Sequence, residues 1–163
     1  MKPNYKRKEK RNTDRRLVAC ATGKLMPLGA VQDPVFASRM YGEGVAIVPD
    51  EDLVVSPCSG TVTMVPYNKQ SVGLENEQGD MILVHIGTNA AQFRGKGFET
   101  LALEGTRVRP GTPLIRLNRR FLESQNADLT ICMVITNLKK PEEYRVLEGD
   151  QVLAGRTPVM ERR

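Results

Sequence analysis

Short β-type segments separated by turn residues dominate this sequence, and this pattern constrains the fold more than any other feature. The 163 residues include 14 glycines and 10 prolines. The apolar runs between them are shorter than a typical helix needs. Nine runs predict strands, and residues 23–28 form a further apolar segment; the nine are 17–21, 45–48, 53–55, 61–65, 71–75, 80–86, 114–117, 131–136 and 151–153. We therefore expect an all-β fold, an antiparallel sandwich or barrel with short helical turns.

Helix-start signals occur at two places. Pro34 fixes φ and Asp33 precedes it as a capping residue, which predicts a short helical turn. Gly42 and Gly44 are expected to end this turn and let the backbone enter a strand. Farther along, residues 118–125 predict a short helix, with Asn118 as its N-cap.

The positive charge of the chain is concentrated at its N-terminus. Residues 1–16 hold eight basic and two acidic side chains, a net +6, whereas the whole chain carries +5. We expect residues 1–16 to form a disordered, solvated tail and residues 17–163 to form a single domain. The tail has no apolar face, so membrane insertion is not expected. Specific nucleic-acid binding is not expected either, although binding through the tail alone stays open and would be lost on its deletion.

The cysteines and the absence of long apolar runs bear on the compartment. Cys20, Cys58 and Cys132 lie in apolar or strand-like contexts without metal-ligand spacing. They are expected to be buried, reduced thiols, as in cytoplasmic proteins. No apolar run approaches the roughly 20 residues that span a membrane, and the polar N-terminus does not resemble a signal peptide.

The chain has one histidine, His85, at the end of the apolar run 81–84. Residues 78–80 supply a turn, so the arms 71–75 and 80–86 are expected to pair as a hairpin. Equal arms on either side of this turn would place Gln70 opposite His85. A lone histidine on a strand is more often structural than catalytic, so these residues alone do not assign it a function.

A set of spaced motifs runs from about residue 20 to residue 160. They are Asp-Pro-Val-Phe-Ala at 33–37, Gly-x-Gly-x-Ala-Ile at 42–47, Ser-Pro-x-x-Gly-Thr-Val at 56–62, Gly-Lys-Gly-Phe at 95–98, the segment 104–111, and the late strand at 130–137. In this arrangement the chain resembles the glucose-class enzyme IIA domains of the bacterial sugar phosphotransferase system. Their fold is an antiparallel β sandwich with a shallow active-site depression. Their transiently phosphorylated histidine sits in an apolar-apolar-His-apolar-Gly strand end, which His85 matches.

The resemblance implies a cytoplasmic phosphoryl carrier without a cofactor or a metal. It would accept a phosphoryl group from the phosphocarrier HPr on His85 and pass it toward a IIB component during sugar uptake. Implied partners are HPr, a IIB/IIC sugar permease and regulatory targets. The alternative is a non-catalytic regulatory or binding module on the same fold, in which His85 is inert. Related zinc endopeptidases need several histidines, and one histidine removes that possibility.

The resemblance also identifies departures at the site. Family members use a second histidine to hold and pass on the phosphoryl group, and that position holds Gln70. A glutamine amide can donate hydrogen bonds to phosphate oxygens but cannot titrate, so we expect His85 to accept a phosphoryl group and onward transfer to weaken. Asn68 stands where the family has threonine, and residues 89–90 replace its Asp-Thr. The carbonyl group of Gly87 is expected to hold the imidazole.

Partner binding would use an apolar rim around the site. The matching positions are Asp33, Val35, Phe36, Met40, Tyr41, Pro66, Leu83 and Ala91. Ordinary core packing is the alternative interpretation for each of them taken singly. Together they resemble a docking face.

Overall fold

A computed structural model describes residues 15–87 and 90–163, without the side chains of Ala90 and Ala91. Its strands are β1 Arg16–Val18, β2 Gly23–Pro27, β3 Glu43–Pro49, β4 Leu53–Val55, β5 Gly60–Met64, β6 Ser71–Asn76, β7 Met81–Ile86, β8 Phe98–Thr100, β9 Arg107–Val108, β10 Pro113–Leu117, β11 Ile131–Ile135, β12 Tyr144–Val146, β13 Gln151–Val152 and β14 Pro158–Arg162. The helices are α1 Pro34–Ala37 and α2 Arg119–Ser124, and short 3-10 turns lie at Leu28–Ala30, Ala90–Phe93 and Pro141–Glu143. The predicted all-β fold with short helical turns is confirmed.

The strands form one large sheet and two small ones. The large sheet has the order β13-β2-β3-β11-β7-β6-β5-β9, and the small sheets have the orders β4-β10-β8 and β1-β14-β12. The strand pairings described are all antiparallel. Strands β7 and β11 therefore lie in the middle of the large sheet, where both of their edges are hydrogen-bonded.

Alternation along β7 divides its side chains between two apolar clusters. Ile82, Val84 and Ile86 point into the main core, which also contains side chains of both small sheets. Leu83, on the other face, packs against a second cluster made of Leu28, Val31, Phe36, Ala46, Cys132 and Val134. Because side chains alternate along a strand, His85 lies on the same face as Leu83, beside the second cluster.

All nine predicted strand regions contain a strand, and the apolar segment 23–28, which was not assigned as a strand, contains β2. Four further strands were not predicted. These are β8, β9, β12 and β14, which are very short or carry charged residues such as Glu161 and Arg162. The predicted boundary after residue 16 is displaced, since β1 already begins at Arg16 and the N–H of Arg162 donates to the carbonyl oxygen of Arg15. The rest of the predicted tail, residues 1–14, lies outside the described residues.

Both predicted helix caps are present. Oδ1 of Asp33 accepts from the N–H of Val35 at 2.9 Å, and Oδ1 of Asn118 accepts from the N–H of Phe121 at 3.0 Å. The three cysteines are buried and free, as predicted. Among the residues described, none of the helices is long and apolar enough to cross a membrane.

The β6–β7 hairpin is present, but its predicted register is wrong by one residue. Oδ1 of Asn76 accepts from the N–H groups of Gln78 and Asp80, at 3.0 and 2.8 Å, and so adds a residue to the loop. Glu75 consequently pairs with Met81, and Ser71 pairs with His85. Ser71, and not Gln70, therefore lies opposite the histidine.

Candidate active site

His85 lies near the end of β7, between Ser71 on β6 and Cys132 on β11. Its imidazole is half-buried. The Oγ atom of Ser71 lies 2.7 Å from Nδ1 of the ring, within hydrogen-bond distance. Sequence reasoning missed Ser71, because the predicted register of the hairpin was wrong by one residue. The correct register would have identified it.

The short helix α1 supplies one wall of the site. The ring of Phe36 stacks on the imidazole of His85, with centroids 5.0 Å apart and planes 28° from parallel. Tyr41 packs on the same phenyl ring, at a centroid distance of 4.8 Å. Asp33 caps this helix and thus holds Phe36 in place from the start of the segment. The Asp-Pro-Val-Phe segment therefore forms part of the wall beside the histidine.

The surroundings of His85 favour the neutral imidazole. Burial lowers the pKa of His85 below its ordinary value of 6.5, although the negative charge of Asp33 and a hydrogen bond with the Gly87 carbonyl oppose this shift. A ring with a lowered pKa carries a free lone pair at neutral pH. Such a ring is able to act as a nucleophile.

Gly87, two residues after His85, adopts a backbone conformation that favours glycine. Its φ of 76° lies in the left-handed region that other residues enter only at a cost. Its N–H donates to the carbonyl oxygen of Thr130 at 2.9 Å. The backbone thus turns sharply just after His85, as the predicted contact between Gly87 and the ring requires.

Gln70 and Asn68 lie in the turn that enters β6. The carbonyl oxygen of Gln70 accepts from the N–H of Ile86 at 2.8 Å, and its own N–H donates to Oδ1 of Asn68 at 3.3 Å. Gln70 is only 9% exposed. Within the described ranges its buried Oε1 atom has no hydrogen-bond partner.

The sequence of this chain matches a known protein family. Residues 15–141 match the family of the phosphoenolpyruvate-dependent sugar phosphotransferase system described as EIIA 1. The chain belongs to this EIIA family. The family implies phosphotransferase activity in general, within a sugar transport system.

Individual relatives and a solved structure agree with this assignment. The glucose-specific EIIA component of Staphylococcus aureus is 36% identical over 145 residues, covering 89% of this chain and 87% of the relative. The component of Staphylococcus epidermidis is 37% identical over 146 residues, covering 90% and 88%. The structure of the glucose permease IIA from Mycoplasma capricolum has a TM-score of 0.81 at 25% identity, covering 89% of this chain and 94% of that one. The predicted resemblance to glucose-class enzyme IIA domains is confirmed.

The positions of the predicted rim in this EIIA domain differ in exposure. Met40 is 78% exposed and Tyr41 is 49% exposed, while Val35, Pro66 and Leu83 are half-buried. Phe36 is buried, so its ring contributes to the wall of the site and little to the exposed surface of the rim. The side chain of Ala91 and the whole of Asn89 lie outside the described residues.

Tyr67 is a surface residue that sequence reasoning missed. It lies in the turn between Pro66 and Asn68, and it is 95% exposed. The sequence did contain a signal for it, because the proline and asparagine on either side of this tyrosine predict a surface turn. The tyrosine also directly follows a rim position.

The described part of this EIIA domain holds no group of three or more His, Cys, Asp or Glu side chains placed to bind a metal. The nearest cysteine, Cys132, is the cross-strand neighbour of His85. Burial, with the negative charges of Asp33 and Asp128, raises the pKa of Cys132 to about 12. It is therefore a protonated packing residue at neutral pH.

Proposed function

We propose that this EIIA domain is a cytoplasmic phosphoryl carrier. It accepts a phosphoryl group from phospho-HPr on His85 and passes it toward a IIB component during sugar uptake. The observation that carries the proposal is the state of His85, whose ring is anchored at Nδ1 and whose lowered pKa favours the neutral form. Family membership supplies the class of reaction.

The hydrogen-bonding of the ring indicates which nitrogen reacts. Nδ1 is engaged by the buried Ser71, so Nε2 is the nitrogen left to act as the nucleophile. Its lone pair attacks phosphorus, the bond from phosphorus to the donor breaks, and an Nε2–P bond forms. In this proposal the neutral ring carries its proton on Nδ1, so no proton has to leave Nε2.

The transferred group adds a charge of about −2 and needs hydrogen-bond donors. Gln70 is our candidate for this role. Its Oε1 atom has no partner, so the amide can turn without breaking a hydrogen bond at Oε1, and in this proposal its NH2 group then donates to the phosphoryl oxygens. An amide cannot take up a proton, so Gln70 assists acceptance more than onward transfer.

Asp33 opposes retention of the phosphoryl group. Its negative charge acts on the imidazole of His85, whose pKa it raises. The same charge repels a phosphoryl group on Nε2, which is also negative. Asp33 therefore favours departure of the group, which a carrier needs.

The exposed rim provides a surface for HPr and for a IIB/IIC permease component. Met40 and Tyr41 are exposed apolar side chains next to the Phe36 wall. Exposed Met and aromatic side chains are enriched at docking surfaces. In this proposal HPr and the IIB component use the same rim in turn, because both must reach Nε2.

Intact-mass analysis tests the proposal directly. The protein is incubated with phosphoenolpyruvate, enzyme I and HPr, beside a His85→Ala variant. We expect an acid-labile gain of one phosphoryl group in the wild-type protein and none in the variant. No gain in a folded protein, with HPr shown to be phosphorylated, overturns the carrier function and leaves a binding module on this fold. A chase with a IIB component then measures onward transfer.

A further inference from the structure

The environment of Ser71 differs from that of an ordinary strand serine. It is 8% exposed, and the hydrogen bond described for its Oγ atom is with Nδ1 of His85, at 2.7 Å. The pairing of β6 with β7 places the two residues directly opposite each other. Directly opposed residues have Cβ atoms about 5 Å apart, so a short serine side chain is long enough to reach the ring.

We infer that Ser71 is a positioning residue for phosphoryl transfer: its Oγ atom accepts a hydrogen bond from Nδ1–H of His85 and so keeps Nε2 unprotonated. The inference deepens the proposed function and rests on it for the transfer step. It assigns the choice of tautomer to a side chain as well as to the backbone. The resemblance to the family had pointed only to the Gly87 carbonyl for this role.

The direction of the hydrogen bond follows from the chemistry of the two partners. A carbonyl group only accepts, so the hydrogen bond with Gly87 needs an N–H on the ring. A hydroxyl group can donate or accept. If Ser71 donated to Nδ1, the neutral ring would carry its proton on Nε2, and the lone pair of Nδ1 would be occupied by the serine hydroxyl group. The proposed reaction therefore requires Ser71 to accept.

The same hydrogen bond is compatible with both states of the carrier. A phosphoryl group on Nε2 leaves the proton on Nδ1 in place, so Oγ of Ser71 can accept before and after transfer. The ring then has no need to rotate between loading and unloading. Since the strand pairing fixes Ser71, the nucleophile stays oriented throughout the cycle.

Nitrogen-15 NMR of the imidazole tests this inference without any transfer reaction. His85 is the only histidine of the chain, so the two ring nitrogen signals need no further assignment to a residue. At a pH where the ring is neutral, we expect the wild-type protein to show a protonated Nδ1 and an unprotonated Nε2. In Ser71→Ala, a mixture of the two tautomers should appear. In Ser71→Thr, which keeps a hydroxyl group, the wild-type pattern should return.

The kinetic counterpart uses phosphorylation by phospho-HPr. Ser71→Ala should lower kcat about fivefold, which corresponds to the loss of one ordinary hydrogen bond. KM should change less than twofold. Ser71→Thr should restore most of the rate. Ser56→Ala is the matched control, because Ser56 is also buried and its hydroxyl donates to the Cys58 carbonyl oxygen, away from the histidine.

Two results would overturn the inference: a wild-type ring that carries its proton on Nε2, or an unchanged tautomer in a folded Ser71→Ala variant. If that variant does not fold, the wild-type and Ser71→Thr spectra still decide. Failure of the proposed function is distinguishable, because HPr would then leave the wild-type protein unmodified while the NMR spectra still report the tautomer.

Discussion

The phenyl ring of Phe36 lies against the imidazole of His85, with centroids 5.0 Å apart and planes 28° from parallel. Phe36 also belongs to the second apolar cluster, between α1 and the large sheet. Packing and chemistry are thereby coupled, because the side chain that completes this cluster also shields the ring from water. The lowered pKa of His85 has burial as its largest cause.

Replacing Phe36 by leucine should affect both stability and the site. We expect the free energy of unfolding to fall by about 1.5 kcal/mol, since the volume is partly kept. The pKa of His85 should rise toward 6.5, because water gains access to the ring. Urea unfolding and an NMR titration of the single histidine measure the two effects. Tyr41→Leu is the control, as it removes the other ring that packs on Phe36 and should leave the pKa of His85 nearly unchanged.

Replacing Asp33 by asparagine removes a charge but keeps a good N-cap. The pKa of His85 should then fall further, because the charge of Asp33 raises it. A lowered pKa in the folded state means that stability is complete above pH 6.5 and is lost as the pH falls below it. Asp33→Asn should therefore lose more stability on acidification than the wild-type protein. Asp52→Asn, at a carboxylate that does not act on His85, should show neither effect.

Replacing Gln70 by histidine should improve onward transfer. In the transition state of onward transfer, a protonated imidazole gives the phosphoryl oxygens a charged hydrogen bond that is about 1 kcal/mol stronger than that of the amide. We expect the transfer rate to a IIB component to rise about fivefold, while acceptance from HPr changes less. The measurement is a single-turnover chase of the phosphorylated protein. Gln70→Leu, with neither donor nor charge, should slow both steps, and equal rates in all three proteins would exclude a role for this position.

A buried network at the far end of the hairpin should govern stability. Asp80 accepts from Arg162 Nη2 at 2.7 Å, from the Tyr144 hydroxyl at 2.7 Å and from Asn76 Nδ2 at 3.2 Å. Burial alone would raise the pKa of Asp80, but these hydrogen bonds outweigh it and hold the pKa below 3.8. Arg162→Met should lower the free energy of unfolding at pH 7 by about 2 kcal/mol, in the range for hydrogen bonds to charged groups.

The pH dependence of that variant has a definite sign. A carboxylate with a lowered pKa in the folded state stabilises the protein above the unfolded pKa, and the stability is lost as the pH falls through the folded pKa. The difference between the wild-type protein and Arg162→Met should therefore shrink toward pH 3, as followed by urea unfolding. Arg145→Met breaks an exposed pair with Glu161 and should cost less than about 0.5 kcal/mol.

Local sequence signals predicted the local parts of this structure. Asp33 and Asn118 cap the helices as expected, because each cap involves residues only two or three positions away. The strands that were missed depend on distant partners. Strand β14, for example, contains charged residues, and it is held by pairing with β1 and β12 from opposite ends of the chain.

The sequence predicted several residues of the candidate site but not the contacts among them. His85, Gly87 and Asp33 were identified, and Asp33 and Gly87 both act on the pKa of His85. Ser71 was not identified, because its position opposite His85 depends on the loop residue Asn76. Two hydrogen bonds made by the Asn76 side chain shift the strand pairing by one residue. With a pairing shifted by one residue, Ser71 faces the imidazole in place of Gln70.

The sequence by itself determined the all-β class, the helix caps, the family and the one histidine of the candidate site, because these depend on residue type and short spacing. The tertiary structure alone decided that Ser71 contacts Nδ1, that Phe36 stacks on the imidazole, and that the pKa of His85 is lowered. Strand register and burial arise from contacts between residues far apart in the chain. Their energies depend on distances that only the folded chain sets.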